Sequence, residues 1–215
     1  MKTRTPLRRG VLVGAIALVS AFAAAPAQAA SLKVGDCSSA VRSLQQKLAS
    51  ARYPTGAIDG CFGRATRHAV LAVQLAHGLA ADGIAGPQTQ AALRAPRAIE
   101  ARSRPPGRHV EVDRRRQLLV LVRDGVVTAI YAASTGKAGY RTPAGTYRVY
   151  RKQAADWSYR YQVLLPWVSY FLRGYAVHAG RIPGYPASHG CVRVPPPFAE
   201  AIYRRMAVGS SVVIY

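Results

Sequence analysis

Acidic side chains are scarce in this chain: nine Asp and Glu stand against 30 Lys and Arg over 215 residues, a formal net charge of +21. A surface so short of carboxylates favours a polyanionic partner, and in a cytosolic protein nucleic acid would be the first reading. Cysteine is scarce as well, at three residues. No two of them have the close spacing of paired zinc ligands, which argues against a zinc ribbon or finger. Long apolar runs are also missing. The uncharged stretch from Val11 to Ala25 falls short of the ~18 residues a membrane-spanning helix needs.

That stretch has another use. Lys2, Arg4, Arg8 and Arg9 precede it, and Ala27-Gln28-Ala29 supplies small residues at alternate positions before Ala30, so residues 1–30 read as a secretory signal peptide. The Arg8-Arg9 pair leaves general and twin-arginine export both open. No cysteine lies at the cleavage point, so the mature protein is expected to be secreted and wall-associated, with no lipid or membrane anchor. Its polyanionic partners are then not nucleic acid but wall polymers: teichoic phosphates and peptidoglycan carboxylates.

The remaining chain changes character once. Residues 31–94 are rich in Ala, Leu and Gly, with apolar residues at helical spacing: Val41, Leu44 and Leu48 on one face, Ala69, Val73 and Ala76 on another. Gly78 suits a helix C-terminus and Pro87 a first helical position. Two segments echo each other as DGxxGxxTxxA, from Asp59 and from Asp82, each a glycine turn feeding a helix. Residues 95–107 (APRAIEARSRPPG) have no apolar period and read as a linker. Residues 108–215 are rich in Val and Tyr. Gln117–Arg123 and Val126–Ser134 flank Asp124-Gly125 as a hairpin with a primed turn. Tyr147–Lys152, Tyr175–His178 and Ser211–Tyr215 read as strands, and Pro195–Pro197 precede a helix with Phe198, Ile202 and Met206 on its apolar face. The expected fold is therefore two domains: a small all-α three-helix module, then a mostly β domain with one helix near the C-terminus. Cys37 and Cys61 both fall in the first module. In an exported protein they are expected to pair, stabilising a domain with little core by about 3 kcal/mol. Cys191 is left unpaired.

The chemistry concentrates in Tyr175–Val194, YAVHAGRIPGYPASHGCVRV, where Cys191 stands among histidines and turn residues. Acyl transfer by a thiol needs a base that removes its proton and later returns one, and Cys191 with His178 offers that pair. Gly190 lets the backbone turn sharply, so that its N–H and that of Cys191 could face a developing oxyanion. Two plainer readings stay open at this level: a buried cysteine acting as a small apolar residue, and a zinc site from His178, His189 and Cys191 that lacks a fourth ligand.

Ser188-His189-Gly190-Cys191-Val192-Arg193 resembles the Ser/Thr-His-Gly-Cys signature of the L,D-transpeptidases, which cross-link peptidoglycan, with His178 in the place of their upstream histidine. Ser134-Thr135-Gly136 and Thr142-Pro143-Ala144-Gly145-Thr146 resemble that family's STG and TPxGT segments, in the same order. The first module resembles the three-helix peptidoglycan-binding module through Leu44-Gln45, Asp59 to Gly63, Thr66, Val73-Gln74, Gly78-Leu79 and Asp82 to Gly86, with Val73 in place of the usual aromatic. The resemblance implies that Cys191 attacks the bond between the third stem residue and D-alanine, that D-alanine leaves, and that a second stem's amine resolves the thioester to a 3→3 cross-link. It further implies His178 as the base, the Ala179 carbonyl as its orienter, Ser188, His189 and Arg193 as pocket residues, and no cofactor or metal. Stem peptides and glycan are the partners. Attack by water instead would make an L,D-carboxypeptidase, and a chain without activity would be a wall-binding protein.

Overall fold

A computed structural model describes Met1 and residues 30–215, so the leader expected over residues 1–30 lies, apart from its two end residues, outside the described residues. The chain forms α1 (Ser39–Ser50), α2 (Arg64–His77) and α3 (Pro87–Arg94), and then β1 (Arg108–Asp113), β2 (Leu118–Arg123), β3 (Val126–Ala132), β4 (Gly145–Arg148), β5 (Arg151–Ser158), β6 (Val163–Leu172), β7 (Tyr175–Ala179) and β8 (Val192–Val194), followed by α4 (Pro196–Arg205) and β9 (Ser211–Ile214).

Local chemistry sets the helix ends. Ser38 caps α1 by accepting the Val41 N–H, Gly78 closes α2 in the left-handed region, and Pro87 opens α3, where its missing N–H costs nothing. The DGxxG echo has one polar device in two copies. Gln45 Nε2 donates to Asp59 Oδ1, the Cys61 carbonyl and Thr66 Oγ1, while its Oε1 accepts the Gly60 N–H. Gln74 does the same with Asp82 Oδ1, the Ile84 carbonyl, Thr89 Oγ1 and the Gly83 N–H. Both glutamines are buried and matched at both ends, so each ties a turn to the helix that follows it. A disulfide joins Cys37 to Cys61.

The strands form two sheets, in the orders β3-β2-β1-β9-β4 and β5-β6-β7-β8. Pairing is antiparallel except for β1 with β9 and β7 with β8. Asp124 and Gly125 both take positive φ in the β2–β3 turn, the mirror-image geometry that suits strand twist. β2 is apolar at consecutive positions because it is covered on both faces. Leu119 and Leu121 meet β7, β8 and α4 in the core of the second domain. Leu118, Val120 and Val122 meet the helices of the first module.

The two parts thus share the five-stranded sheet, and the intervening segment is not a bare spacer. Ile99 is buried in the core of the first module. The backbone N–H groups of Arg102 and Ser103 both donate to the buried Glu111 carboxylate on β1. The 95–107 segment, which has no apolar period, is thus held to the first module by Ile99 and to β1 through its backbone. Two strand features differ from expectation. β1 lies beside β9 as a strand that the His-Val-Glu-Val run did not suggest. The Tyr147–Lys152 segment is broken at Val149-Tyr150, between β4 and β5. The arginines at 114–116 form a wired turn, with Arg116 paired to Asp113 and Arg114 bonded to the Thr142 and Tyr215 carbonyls.

Candidate active site

β7 and β8 set the geometry. In their parallel register Val177 faces Val192 and His178 faces Arg193. Side chains two apart on a strand share a face, so Cys191 and Arg193 project on the same side as Ala176 and His178. Cys191 is thus the diagonal neighbour of His178, with its thiol against the backbone of Gly174 and Ala176.

His178 is buried at the end of β7 and its Nδ1 lies 2.7 Å from the Ala179 carbonyl. A carbonyl only accepts, so Nδ1 carries the proton and Nε2 is left as a basic lone pair for the cleft. Burial holds the imidazole below its usual pKa; the Ala179 bond opposes this and the Arg193 charge adds to it. The Cys191 thiol is pushed up by burial, while the Ala176 N–H and Arg193 pull it down. Both shifts favour the neutral forms at neutral pH, a thiol at Cys191 and an uncharged imidazole at His178.

The two motif segments, Ser134–Gly136 and Thr142–Thr146, frame the loop that carries the thiol. Ser134 and Arg193 exchange backbone bonds of 3.0 and 2.9 Å. Ser134 Oγ donates to the Tyr185 carbonyl, and the Thr135 carbonyl accepts the N–H groups of Ala187 and Ser188. Thr142 Oγ1 accepts from the Gly136 N–H and donates to the Gly190 carbonyl. Ser188 Oγ accepts the Gly190 N–H and donates to the Cys191 carbonyl. Gly190 has φ of +118°, and a Cβ there would lie 2.6 Å from the Tyr175 ring, so both conformation and contact require glycine. Its expected oxyanion role needs correction: the Gly190 N–H is held by Ser188, a bond that the bare spacing of the motif does not reveal.

His189 occupies a different setting. It is exposed and sits between two tyrosines, stacked on Tyr161 and edge-on to Tyr140, each with centroids 4.8 Å apart. Tyr161 belongs to the turn between β5 and β6, so the aromatic stretch from Trp157 to Phe171 is a strand pair and a cleft wall at once. Two residues that the sequence did not single out complete the frame and the wall. Gln117 pins Thr135 through Nε2 and Oε1, and Tyr140 covers His189; neither lies in a periodic pattern that could have marked it. The cleft has a volume of about 750 Å³, with Arg141, Arg160, Arg173 and Arg193 among its lining and no acidic side chain.

Comparison with known proteins agrees with this arrangement. Residues 107–214 match the YkuD family, the L,D-transpeptidase catalytic domain, and residues 37–93 match a peptidoglycan-binding domain family. A solved L,D-transpeptidase from Xylanimonas cellulosilytica is 38% identical, with a TM-score of 0.79, over 89% of this chain and 100% of that one. Another, from Stackebrandtia nassauensis, is 28% identical with a TM-score of 0.54, over 86% and 94% of the two chains. Among curated proteins, the zinc D-Ala-D-Ala carboxypeptidase of Streptomyces albus G is 56% identical over 62 residues, 27% of this chain and 24% of that protein. The chain spans about a quarter or less of the length of the curated relatives it matches. The match over its second half and the likeness of 89% of the chain to a solved L,D-transpeptidase together place it in the L,D-transpeptidase catalytic-domain family.

Proposed function

We propose that this protein is an exported L,D-transpeptidase that joins peptidoglycan stems in 3→3 linkage, using Cys191 as nucleophile and His178 as base. The observation that carries the reading is the shared face of β7 and β8. There the bond from Nδ1 to the Ala179 carbonyl leaves His178 Nε2 basic, and the register puts Cys191 diagonally across from His178.

In the first half-reaction His178 Nε2 takes the thiol proton and the sulfur attacks the carbonyl carbon between the third stem residue and D-alanine. The negative oxygen of the tetrahedral adduct accepts from the Cys191 N–H, since the Gly190 N–H is engaged by Ser188. Collapse breaks the C–N bond, His178 returns its proton to the departing amine, and a thioester remains. In the second half an amine of another stem loses a proton to His178 and attacks the thioester, and the sulfur leaves and is reprotonated. The four cleft arginines suit stem carboxylates. The first module, with its fold centred on residues 31–94, supports retention on the wall, and the leader over residues 1–30 supports export.

The test is to incubate the protein with purified disaccharide-tetrapeptide and read the products by mass spectrometry. A cross-linked dimer that has lost one D-alanine is expected, with a transient thioester mapped to Cys191. Tripeptide as the sole product would make the protein a carboxypeptidase, and the absence of any Cys191 adduct would remove the nucleophile assignment.

A further inference from the structure

The cleft gathers positive charge from four separate segments. Arg141 comes from the loop between β3 and β4, Arg160 from the β5–β6 turn, Arg173 from the β6–β7 turn and Arg193 from β8. None of them takes part in an ion pair among the described residues; those pairs involve His109, Arg116, Arg123, Arg151 and Arg204 instead. The shortage of acid in the chain as a whole does not account for this, because Arg151 on β5 does find Asp156, at 2.8 Å. The charges are felt inside the cleft. At His178 the Arg193 charge adds to the burial that holds the imidazole below its usual pKa. At His189 desolvation, and then the charges of Lys137, Arg193 and Arg160, act in the same direction.

The placement of the four divides the cleft. Arg173 precedes Gly174, whose carbonyl lies 3.8 Å from the Cys191 sulfur, and Arg193 projects on the Cys191 side of β8. Arg160 lies 5.7 Å from the ring centroid of Tyr161, and Arg141 follows Tyr140 in the chain; these are the two rings that enclose His189. One pair therefore attends the thiol and the other the wall at His189. A tetrapeptide stem attacked at its third residue matches this charge when that residue is a diamino diacid. Three carboxyl groups then stay outside the reacting bond: one on the D-glutamate, which is linked through its side chain, one at the far centre of the third residue, and one on the terminal D-alanine. The first two can be carried as carboxamides without touching the scissile bond. Such a stem offers the arginines one charge instead of three.

We propose that the cleft selects donor stems by carboxylate state, taking stems whose second and third residues keep free carboxylates over amidated ones, with Arg141 and Arg160 as the residues that read them. The proposal rests on the reading that the chain acts on peptidoglycan stems. The D-alanine carboxylate, next to the bond that breaks, falls to Arg173 and Arg193. A guanidinium donates in parallel to both oxygens of a carboxylate. A carboxamide offers it one oxygen and turns N–H donors toward it, so amidation removes an attraction and adds a partial clash.

The test measures affinity apart from turnover. The full chain carrying Cys191→Ser is titrated by calorimetry with three disaccharide-tetrapeptides containing 2,6-diaminopimelate: the free acid, the form amidated at the D-glutamate, and the form amidated at both residues. Affinity is expected to fall about fivefold with each amide, and the difference to shrink as salt is raised. With Arg141→Gln and Arg160→Gln added, the free acid should lose about tenfold or more and the doubly amidated form under about twofold, so that the preference disappears. Arg94→Gln, exposed at the end of α3, should leave the preference intact. Thermal melting checks that the variants fold; if the double substitution does not, Arg160→Gln alone carries the comparison, with a loss of about threefold for the free acid. Equal affinity for the three stems, tighter binding of an amidated one, or a preference that survives the arginine substitutions would each overturn the proposal. Acylation of the unsubstituted chain by the free-acid stem is followed in parallel by mass; its absence would sink the transpeptidase reading and leave the affinity comparison standing on its own result.

Discussion

The first module and the catalytic cleft both bury polar side chains, and they treat them in opposite ways. Gln45 and Gln74 have partners at both ends of their amides, four each, all within the turn and helix they join. His178 is held on one side only, by Ala179, and its other nitrogen is left to the cleft. A polar group matched all round stabilises a fold because leaving any of its partners unmatched is costly. One matched on a single side is oriented yet still able to react. The contrast separates scaffold from chemistry: changing a glutamine should move stability and not the reaction, and changing the histidine should move the reaction and not stability.

Four measurements can break or sharpen this contrast. The largest effect is expected at Cys191. Cys191→Ser keeps the side-chain shape but leaves a hydroxyl far harder to deprotonate, so acyl-enzyme formation should drop by about 10⁴-fold or more with an unchanged melting temperature. Next, His178→Ala should slow acylation by about 10³-fold. The loss should not add to that of Cys191→Ser, because the two act as a unit. Full-rate acylation in His178→Ala would place the base elsewhere.

The third measurement turns to the scaffold. Gln74→Ala leaves the Gly83 N–H and the Asp82 carboxylate without their buried partner and should lower stability by about 2 kcal/mol, read by denaturant unfolding. Gln45→Ala should cost less, since the Cys37–Cys61 disulfide still closes its turn. Neither should alter the acylation rate per folded molecule, and a rate that fell in step with stability would erase the distinction. The smallest effect is expected from His189→Ala, a loss of about fivefold in acylation, because His189 shapes the cleft wall between Tyr140 and Tyr161.

The dependence on pH gives the same contrast a second form. His178 must be neutral to accept the thiol proton, and burial keeps its pKa below 6.5. The acylation rate should therefore hold as pH falls to 6.5 and decline only below it. His68 also titrates low, at about 4, but it has no place in the cleft. Its unfolded form binds a proton near pH 6.5 while the folded form resists until about 4. It thus contributes stability that is full above 6.5 and is lost as the pH falls through that window. Stability loss in that window should shrink in His68→Leu, with no change in the acid limb of the rate.

Much was legible in the sequence because it is written locally. Ser38, Gly78 and Pro87 mark helix ends within a turn or so of themselves, Asp124-Gly125 determines a hairpin through two positive φ angles, and the SHGC signature keeps its thiol, glycine and serine within four residues. The pairing of Cys37 with Cys61 followed from compartment and module, which composition reports. What only the tertiary structure decided depends on partners far along the chain. β1 lies between β2 and β9, and a parallel neighbour 102 residues away, Ser211 opposite His109, leaves no trace in its own pattern. The continuous apolar run of β2 became intelligible only when both of its faces proved covered. The Gly190 N–H was diverted from the cleft by a serine hydroxyl whose rotamer no motif records. Ile182, one apolar residue among prolines and glycines, was drawn into the first module's core, and that single burial joins the two parts around the loop that holds Cys191. Short-range geometry is set by each residue's own backbone preferences, whereas these features arise from which surfaces meet, and that is a property of the folded whole.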